Sequence, residues 1–227
     1  MISYLIYMAV LMVIPLWAQM RVKTTYTRFS EVDNSTGMTG AETARRILDA
    51  NGLYDVSIRE VEGMLTDHYD PRDKTVNLST DIYHGVSISG TAVAAHEVGH
   101  AIQDANDYTF MRVRSALVPV ANLGSNFSYI LIIAGFIFGM MQLAMVGVIF
   151  FAAAVLFQLV TLPVEFDASG RALKQLVGLD IIQDNERRSA KKVLSAAAMT
   201  YIAAAFVSVM ELVRFILMIM LSNNREE

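Results

Sequence analysis

Two histidines and a glutamate lie together in the segment Thr91–Ala105, which reads TAVAAHEVGHAIQDA. The segment is rich in alanine and contains no proline, so we expect it to form a helix. His96 and His100 are four residues apart and would project from one face of that helix, so both imidazoles could bind one Zn²⁺. Glu97 would lie about 100° around the helix from His96, where it could act as a general base towards a water molecule. The pattern predicts the centre of a zinc peptidase with one metal ion.

Such a motif can also arise by chance on a surface helix. The chain has only four histidines, and burying unpaired His and Glu side chains among alanines and valines is unfavourable. We therefore favour the metal site. The chain contains no cysteine, which excludes thiolate zinc sites, iron–sulfur clusters and disulfides.

A third zinc ligand must come from elsewhere in the chain. Catalytic zinc has three protein ligands and one open position, and no third histidine follows His100 closely. The candidate side chains include His68, His84, Glu165 and Asp167. Position favours Glu165, because it is the first charged residue after a long apolar run and follows Pro163. The alternative interpretation of Glu165 is an interfacial charge that ends a membrane span.

The composition indicates a membrane protein. Of the 227 residues, 54% are hydrophobic and 18% are charged, whereas soluble domains have about 45–50% apolar and about 25% charged residues. The net charge of -4 disfavours electrostatic binding of nucleic acid. We therefore expect a lipid bilayer, and not a nucleic acid, as a partner.

Apolar runs in the sequence provide four candidate transmembrane helices, each of which needs about 20 mostly apolar residues. The first is 1–20 and the last lies within 193–221. Between them, 115–164 contains no Lys, Arg, Asp or Glu and is too long for one span. We expect a helical hairpin there that turns near Gly139–Gln142. A cleaved secretory signal is the alternative for the first run, and the lack of a preceding positive charge disfavours it.

Positive charges predict which water-facing segments are cytoplasmic. Arg21, Lys23 and Arg28 follow the first span, and 165–192 is also rich in lysine and arginine. By the positive-inside rule both segments are cytoplasmic, which agrees with the two spans between them. We therefore predict a cytoplasmic metalloprotease domain at 21–114, whereas 165–192 is a cytoplasmic segment that brings the third ligand.

The water-facing domain contains signals for helices and short strands. Thr39 and Glu42 form a capping-box pattern that should open a helix. Two candidate strands, Tyr54–Val61 and Lys74–Ser79, flank the turn signal Asp70–Asp73 and suggest a hairpin. The second strand could pair with an extended substrate, although core or edge packing is the more common role. The expected fold is mainly α, a polytopic membrane protein with four transmembrane helices and a small α+β zincin-like cytoplasmic domain.

Three motifs together resemble a known family. HEVGHAIQ at His96–Gln103, VEFDASGRA at Val164–Ala172 and DHYDP at Asp67–Pro71 are similar to the membrane-bound neutral zinc metallopeptidase family (YugP-like). The likeness covers nearly the whole chain. More distantly, the chain is similar to the HtpX/Ste24-type metalloproteases. The resemblance implies a gluzincin-like zinc endopeptidase.

The more distant relatives have a glutamate followed three residues later by Ala-Asp, and that glutamate is their third zinc ligand. The resemblance thus implies this role for Glu165, and Ala168 matches their alanine. Ser169 departs from the pattern, because it stands in place of their aspartate. Asp167 could supply that carboxylate instead, since zinc-bound histidines usually need an outer partner.

The predicted function is that of a zinc-dependent endopeptidase that cleaves peptide or membrane-protein substrates at the cytoplasmic surface of a bacterial plasma membrane, with a role in membrane protein quality control. His96, His100 and Glu165 would bind Zn²⁺, and Glu97 would act first as base and then as acid. The candidates for stabilising the oxyanion are His68, Tyr69, Tyr83, His84 and Arg171.

Two other functions are alternatives. A catalytically silent zinc-binding membrane scaffold would need the metal ligands but not Glu97, which is present. A transporter usually needs ionisable groups deep in the membrane, and the predicted hairpin at 115–164 has none.

Overall fold

A computed structural model describes residues 2–223 and is mainly helical, as predicted. Its elements are α1 Ile2–Ser30, α2 Gly40–Ala50, β1 Ser57–Val61, β2 His68–Asp70, β3 Thr75–Ser79, α3 Thr80–His84, α4 Ile88–Ala105, α5 Thr109–Ile137, α6 Met141–Gly178 and α7 Asp184–Asn223.

Four of the helices, α1, α5, α6 and α7, are long and apolar enough to cross a membrane. The predicted number of span-length helices is thus confirmed. The predicted turn of the hairpin is confirmed as well, because α5 ends at Ile137, α6 begins at Met141, and Gly139 between them has a φ of 65°. Only glycine adopts such a conformation without steric cost.

All four of these helices extend beyond the apolar runs that predicted them. The first run ends at residue 20 but α1 continues to Ser30, and α6 continues past residue 164 to Gly178. An apolar run marks the residues suited to lipid, whereas a helix continues for as long as the backbone permits. No glycine or proline lies between residues 21 and 30 to end α1.

The chain divides into two compact units. The apolar unit comprises the residues up to Pro15, Arg112–Pro163 and the residues from Tyr201 onwards, and the mixed unit comprises Leu16–Met111 and Val164–Thr200. The boundaries within α1 and α6 fall at prolines, which lack the amide that would bond the carbonyl four residues earlier. The predicted domain limits and the zincin-like character of the water-facing domain stay predictions.

The apolar unit has its own core, which α5, α6 and α7 supply. Ile132 of α5 packs with Val148 and Phe151 of α6 and with Phe215 of α7. The rings of Phe151 and Phe215 meet edge to face, with centroids 5.5 Å apart. Such aromatic pairs stabilise a helical packing beyond their buried area.

The mixed unit contains a three-stranded sheet in the order β1-β3-β2. The predicted hairpin between Tyr54–Val61 and Lys74–Ser79 is wrong, because β1 lies parallel to β3 and the turn after Asp70 joins β3 to the antiparallel β2. Three residues are too few for β2 to show the alternation that predicts a strand. Both edges of β3 are paired, so it cannot add a substrate strand, and the packing role that the sequence favoured fits this central position.

The helix α4 lies in the core of the mixed unit, and its ends are fixed locally. Ser87 caps its first turn by accepting a hydrogen bond from the Gly90 amide at 3.1 Å. The predicted capping box at the start of α2 is also present, formed by Thr39 and Glu42. The apolar faces of α2, β3 and α4 meet in one cluster with Leu48, Leu78 and Val98 among its members. This packing fixes the position of α4 against the sheet and α2.

Candidate metal centre

His96 and His100 of α4 and Glu165 of α6 converge in the mixed unit. Their ligand atoms all lie within 4.8 Å of one another. The Oε2 atom of Glu165 is 3.2 Å from Nε2 of His96 and 3.7 Å from Nε2 of His100. Two ligands bound tetrahedrally to one zinc ion at about 2.0–2.1 Å are about 3.3 Å apart. The spacing therefore fits a shared ion.

The chemistry of this donor set also fits zinc. Glu165 is only 2% exposed, and a buried carboxylate is costly unless cations or hydrogen-bond donors compensate it. The side chains of His96 and His100 are 13% and 9% exposed. Two imidazole nitrogens and one carboxylate oxygen are a known ligand set of catalytic zinc, with a fourth position left open.

The close approach of α4 and α6 depends on Gly99. A Cβ atom at this position would lie 2.6 Å from the carbonyl oxygen of Ala168 and 3.1 Å from its carbonyl carbon. Both residues belong to the contact that brings the imidazoles of α4 to the carboxylate of α6. We did not predict this role, although a glycine inside a helix is a signal in itself, since it costs about 1 kcal/mol relative to alanine.

Gln103 fixes the ring of His100. Its side-chain oxygen is 3.0 Å from Nδ1 of His100, and its amide nitrogen donates to the Val164 carbonyl and to Oδ2 of Asp167, both at 2.8 Å. Because an amide oxygen only accepts, Nδ1 of His100 is the donor and Nε2 is free to bind metal. Asp167, considered as an outer carboxylate, thus reaches His100 only through the fully buried Gln103.

Ser169 performs the corresponding role for His96. Its Oγ atom is 3.2 Å from Nδ1 of His96, so a hydroxyl occupies the place where the resemblance led us to expect a carboxylate. A hydroxyl oxygen can accept the Nδ1 proton and leave Nε2 directed towards Glu165. Ser169 therefore keeps the imidazole oriented but provides no negative charge.

Glu97 is buried beside the ligand pair, with 8% of its surface exposed. Burial lowers the pKa of His100, but its hydrogen bond to Glu165 and the charges of Glu97 and Glu165 more than compensate, so that the pKa is raised. These two carboxylates make the centre attractive to cations, whether protons or a metal ion.

The other candidates lie away from this cluster or have different partners. The hydroxyl of Tyr69 donates to Asp104 at 2.8 Å. Nε2 of His84 lies 3.2 Å from a carboxylate oxygen of Glu60. Nε2 of His68 lies 3.2 Å from the side-chain nitrogen of Asn77. Arg171 pairs with Asp167. Tyr83 lies beside Glu42 and Arg45. Which residue stabilises the oxyanion stays a prediction.

Comparisons with known proteins show the family to which the chain belongs. Residues 4–220 match the sequence profile of a family described as "Putative neutral zinc metallopeptidase". The chain is 50% identical over 211 residues to "Putative membrane protease YugP" of Bacillus subtilis (strain 168), which covers 93% of each chain. No solved structure matches the chain.

These matches confirm the resemblance to the YugP-like family, whereas the similarity to the HtpX/Ste24-type metalloproteases stays a prediction. The family implies Zn²⁺ as cofactor, and the cluster of His96, His100 and Glu165 could hold it. The membrane protease relative and the four span-length helices support a location in the membrane. The chain therefore belongs to the neutral zinc metallopeptidase family that this profile describes.

Proposed function

We propose that this protein is a zinc-dependent endopeptidase of the HExxH type that cleaves peptide bonds at the cytoplasmic surface of a bacterial plasma membrane. The observation that carries the proposal is the convergence of His96, His100 and Glu165 with Glu97 buried beside them. A catalytically silent metal scaffold would need the three ligands but not Glu97.

In this proposal Nε2 of each imidazole and the carboxylate of Glu165 would hold the ion. Gln103 and Ser169 keep the imidazoles oriented through their Nδ1 atoms. When bound, Zn²⁺ would polarise the scissile carbonyl and make the attacking water more acidic.

Glu97 moves the protons of the reaction. Its carboxylate takes a proton from the attacking water and then delivers it to the nitrogen of the leaving amine as the peptide bond breaks. The burial of Glu97 keeps bulk water from competing for that proton. The exclusion of water also strengthens the electrostatic interactions within the site.

The cytoplasmic location is supported by the positive charges that follow the first apolar run and those at residues 165–192. Glu165 directly follows the uncharged stretch 115–164 along α6. Substrate bonds would thus be cleaved close to the membrane, which suits water-exposed segments of membrane proteins and a role in their quality control.

The full-length protein in detergent provides the test, with bound zinc measured by mass spectrometry and cleavage measured on an unfolded protein substrate. Glu97→Gln should keep its zinc and lose about 10²- to 10⁴-fold in kcat, the usual contribution of a general base. Glu62→Gln, which neutralises an exposed glutamate, is the matched control and should cleave normally. Zinc-loaded wild-type protein that cleaves no faster than Glu97→Gln would instead support the scaffold.

A further inference from the structure

An open cavity of about 600 Å³ lies between α1 and α7 within the mixed unit. Five cationic side chains line it, namely Arg21, Arg28, Arg188, Lys191 and Lys192. The two arginines of α1 are seven residues apart, and Lys191 and Lys192 of α7 lie three and four residues after Arg188. Each helix therefore presents its cations to the cavity from one face.

The charges of these five side chains have no acidic partner among the described residues. In the part of the chain that the structure describes, none of the five forms an ion pair, whereas Arg45, Arg59 and Arg171 each pair with an aspartate. Among residues 2–223, no acidic side chain lines the cavity. Five like charges around one open space repel one another and attract an anion.

The cavity lies next to the apolar runs of both helices. Arg21 follows the first run directly, and Lys192 directly precedes the last. The guanidinium of Arg21 lies 5.5 Å from the ring centroid of Trp17, the only tryptophan of the chain. Because tryptophan prefers the boundary between membrane and water, these residues place the cavity at the depth of lipid headgroups.

The cavity also offers an apolar surface beside its cations. Phe29, Ala196 and Met199 line it, and Met199 is only half-buried. The guanidinium of Arg28 lies 5.6 Å from the Phe29 ring centroid, which holds one cation against this surface. A ligand that combines a phosphate with an adjoining apolar portion would match both surfaces.

We propose that this basic cavity binds the phosphate group of an anionic phospholipid. Arginine guanidinium groups form paired hydrogen bonds with phosphate oxygens, and lysines add charge without fixed geometry. Clusters of four to eight cations beside a transmembrane helix are typical of sites for anionic lipids. The bound headgroup joins α1 to α7 within the mixed unit. The site is independent of the zinc chemistry.

Native mass spectrometry of the full chain in neutral detergent tests the proposal with phosphatidylglycerol, phosphatidylcholine and inorganic phosphate. Phosphatidylglycerol should bind at one saturable site at least tenfold more tightly than phosphatidylcholine. The double variant Arg28→Gln/Lys192→Gln should weaken this binding about 25-fold, at about fivefold for each cation. The matched double variant Lys23→Gln/Arg187→Gln removes the same charge outside the cavity and should change it less than twofold.

Several outcomes would overturn the proposal. Equal losses in the two double variants would indicate general surface charge, and equal binding of both lipids would exclude recognition of the headgroup. Competition by an equal concentration of inorganic phosphate would indicate a soluble ligand, and displacement by an equal concentration of polyglutamate peptide would indicate a protein partner. The charge-conserving variant Arg28→Lys/Lys192→Arg must retain phosphatidylglycerol binding. Loss of binding in this variant would overturn the proposal, whether or not the glutamine variant folds.

Discussion

Gly99 of α4 lies directly against the backbone of Ala168 of α6, with room for a hydrogen atom but not for a methyl group. This contact lies between the two histidines in sequence and three residues after Glu165. The distance from the imidazoles to the carboxylate is therefore set by how closely the two helices approach at this point.

Gly99→Ala should weaken zinc binding at least tenfold and lower the melting temperature. The added Cβ atom would lie 2.6 Å from the Ala168 carbonyl oxygen, so α4 and α6 must separate. Alanine favours a helix over glycine by about 1 kcal/mol, so helix propensity alone would stabilise the variant. A loss of stability would therefore reflect the steric contact. Zinc titration and thermal unfolding are the measurements.

Gly170→Ala is the control for this substitution, because a Cβ atom at Gly170 of α6 would meet nothing within 4 Å. It should be neutral or stabilising by about 0.5–1 kcal/mol. If the two alanine variants bind zinc equally well, the helix contact does not position the ligands.

Gln103→Ala should raise the zinc Kd about 10- to 100-fold, the usual effect of losing a partner of a metal-bound histidine. The variant removes the acceptor for Nδ1 of His100 and leaves that buried nitrogen without its hydrogen bond. Gln183→Ala, at an exposed glutamine, should bind zinc normally. Unchanged affinity in Gln103→Ala would show that the ring of His100 is held by packing alone.

Glu165→Ala should abolish stoichiometric zinc binding and peptidase activity, because two imidazoles alone leave the ligand set incomplete. Glu62→Ala, which removes an exposed glutamate, should retain both. A chelator should lower the melting temperature of the wild type but not that of Glu165→Ala. With zinc at 100 times its Kd, the difference corresponds to about 2.7 kcal/mol. Full zinc occupancy in Glu165→Ala would place the third ligand elsewhere.

Asp67 should make stability depend on pH in an unusual direction. Burial raises the pKa of this carboxyl above its ordinary 3.8, although hydrogen bonds from Ser79 partly offset the rise. The folded protein then holds the proton to higher pH than the unfolded chain does. The contribution of Asp67 to the free energy of unfolding is thus present below pH 3.8 and lost as the pH rises through the raised pKa.

The difference in melting temperature between wild type and Asp67→Asn measures this effect, and it should fall between pH 3.5 and pH 7. Asp70→Asn is a control of opposite sign, since hydrogen bonds from Arg72 lower the pKa of Asp70 to about 2. Its stabilising contribution is present above pH 3.8 and lost as the pH falls towards 2. A parallel pH dependence of the two variants would contradict this assignment.

The sequence predicts those parts of the centre that depend on short-range spacing. The four-residue interval between His96 and His100 requires only a helix, and α4 extends over Ile88–Ala105. Glu165 was favoured by its place after an apolar run. The capping box at Thr39 is equally local.

The roles that sequence reasoning missed depend on which residues of two helices face each other. Gln103 matters because Val164 and Asp167 lie opposite it, and Ser169 because His96 does. The sequence of one helix does not show which residues of the other helix lie opposite it. The strand β2 escaped prediction for a related reason, since three residues form a strand only when a neighbour such as β3 is available for pairing.

Pro163 lies two residues before Glu165 in the unbroken helix α6, where the chain passes from one compact unit to the other. The proline cannot bond the Leu159 carbonyl, and prolines are the usual points at which a helix bends. One backbone hydrogen bond of α6 is therefore missing in the turn that leads to the carboxylate of Glu165.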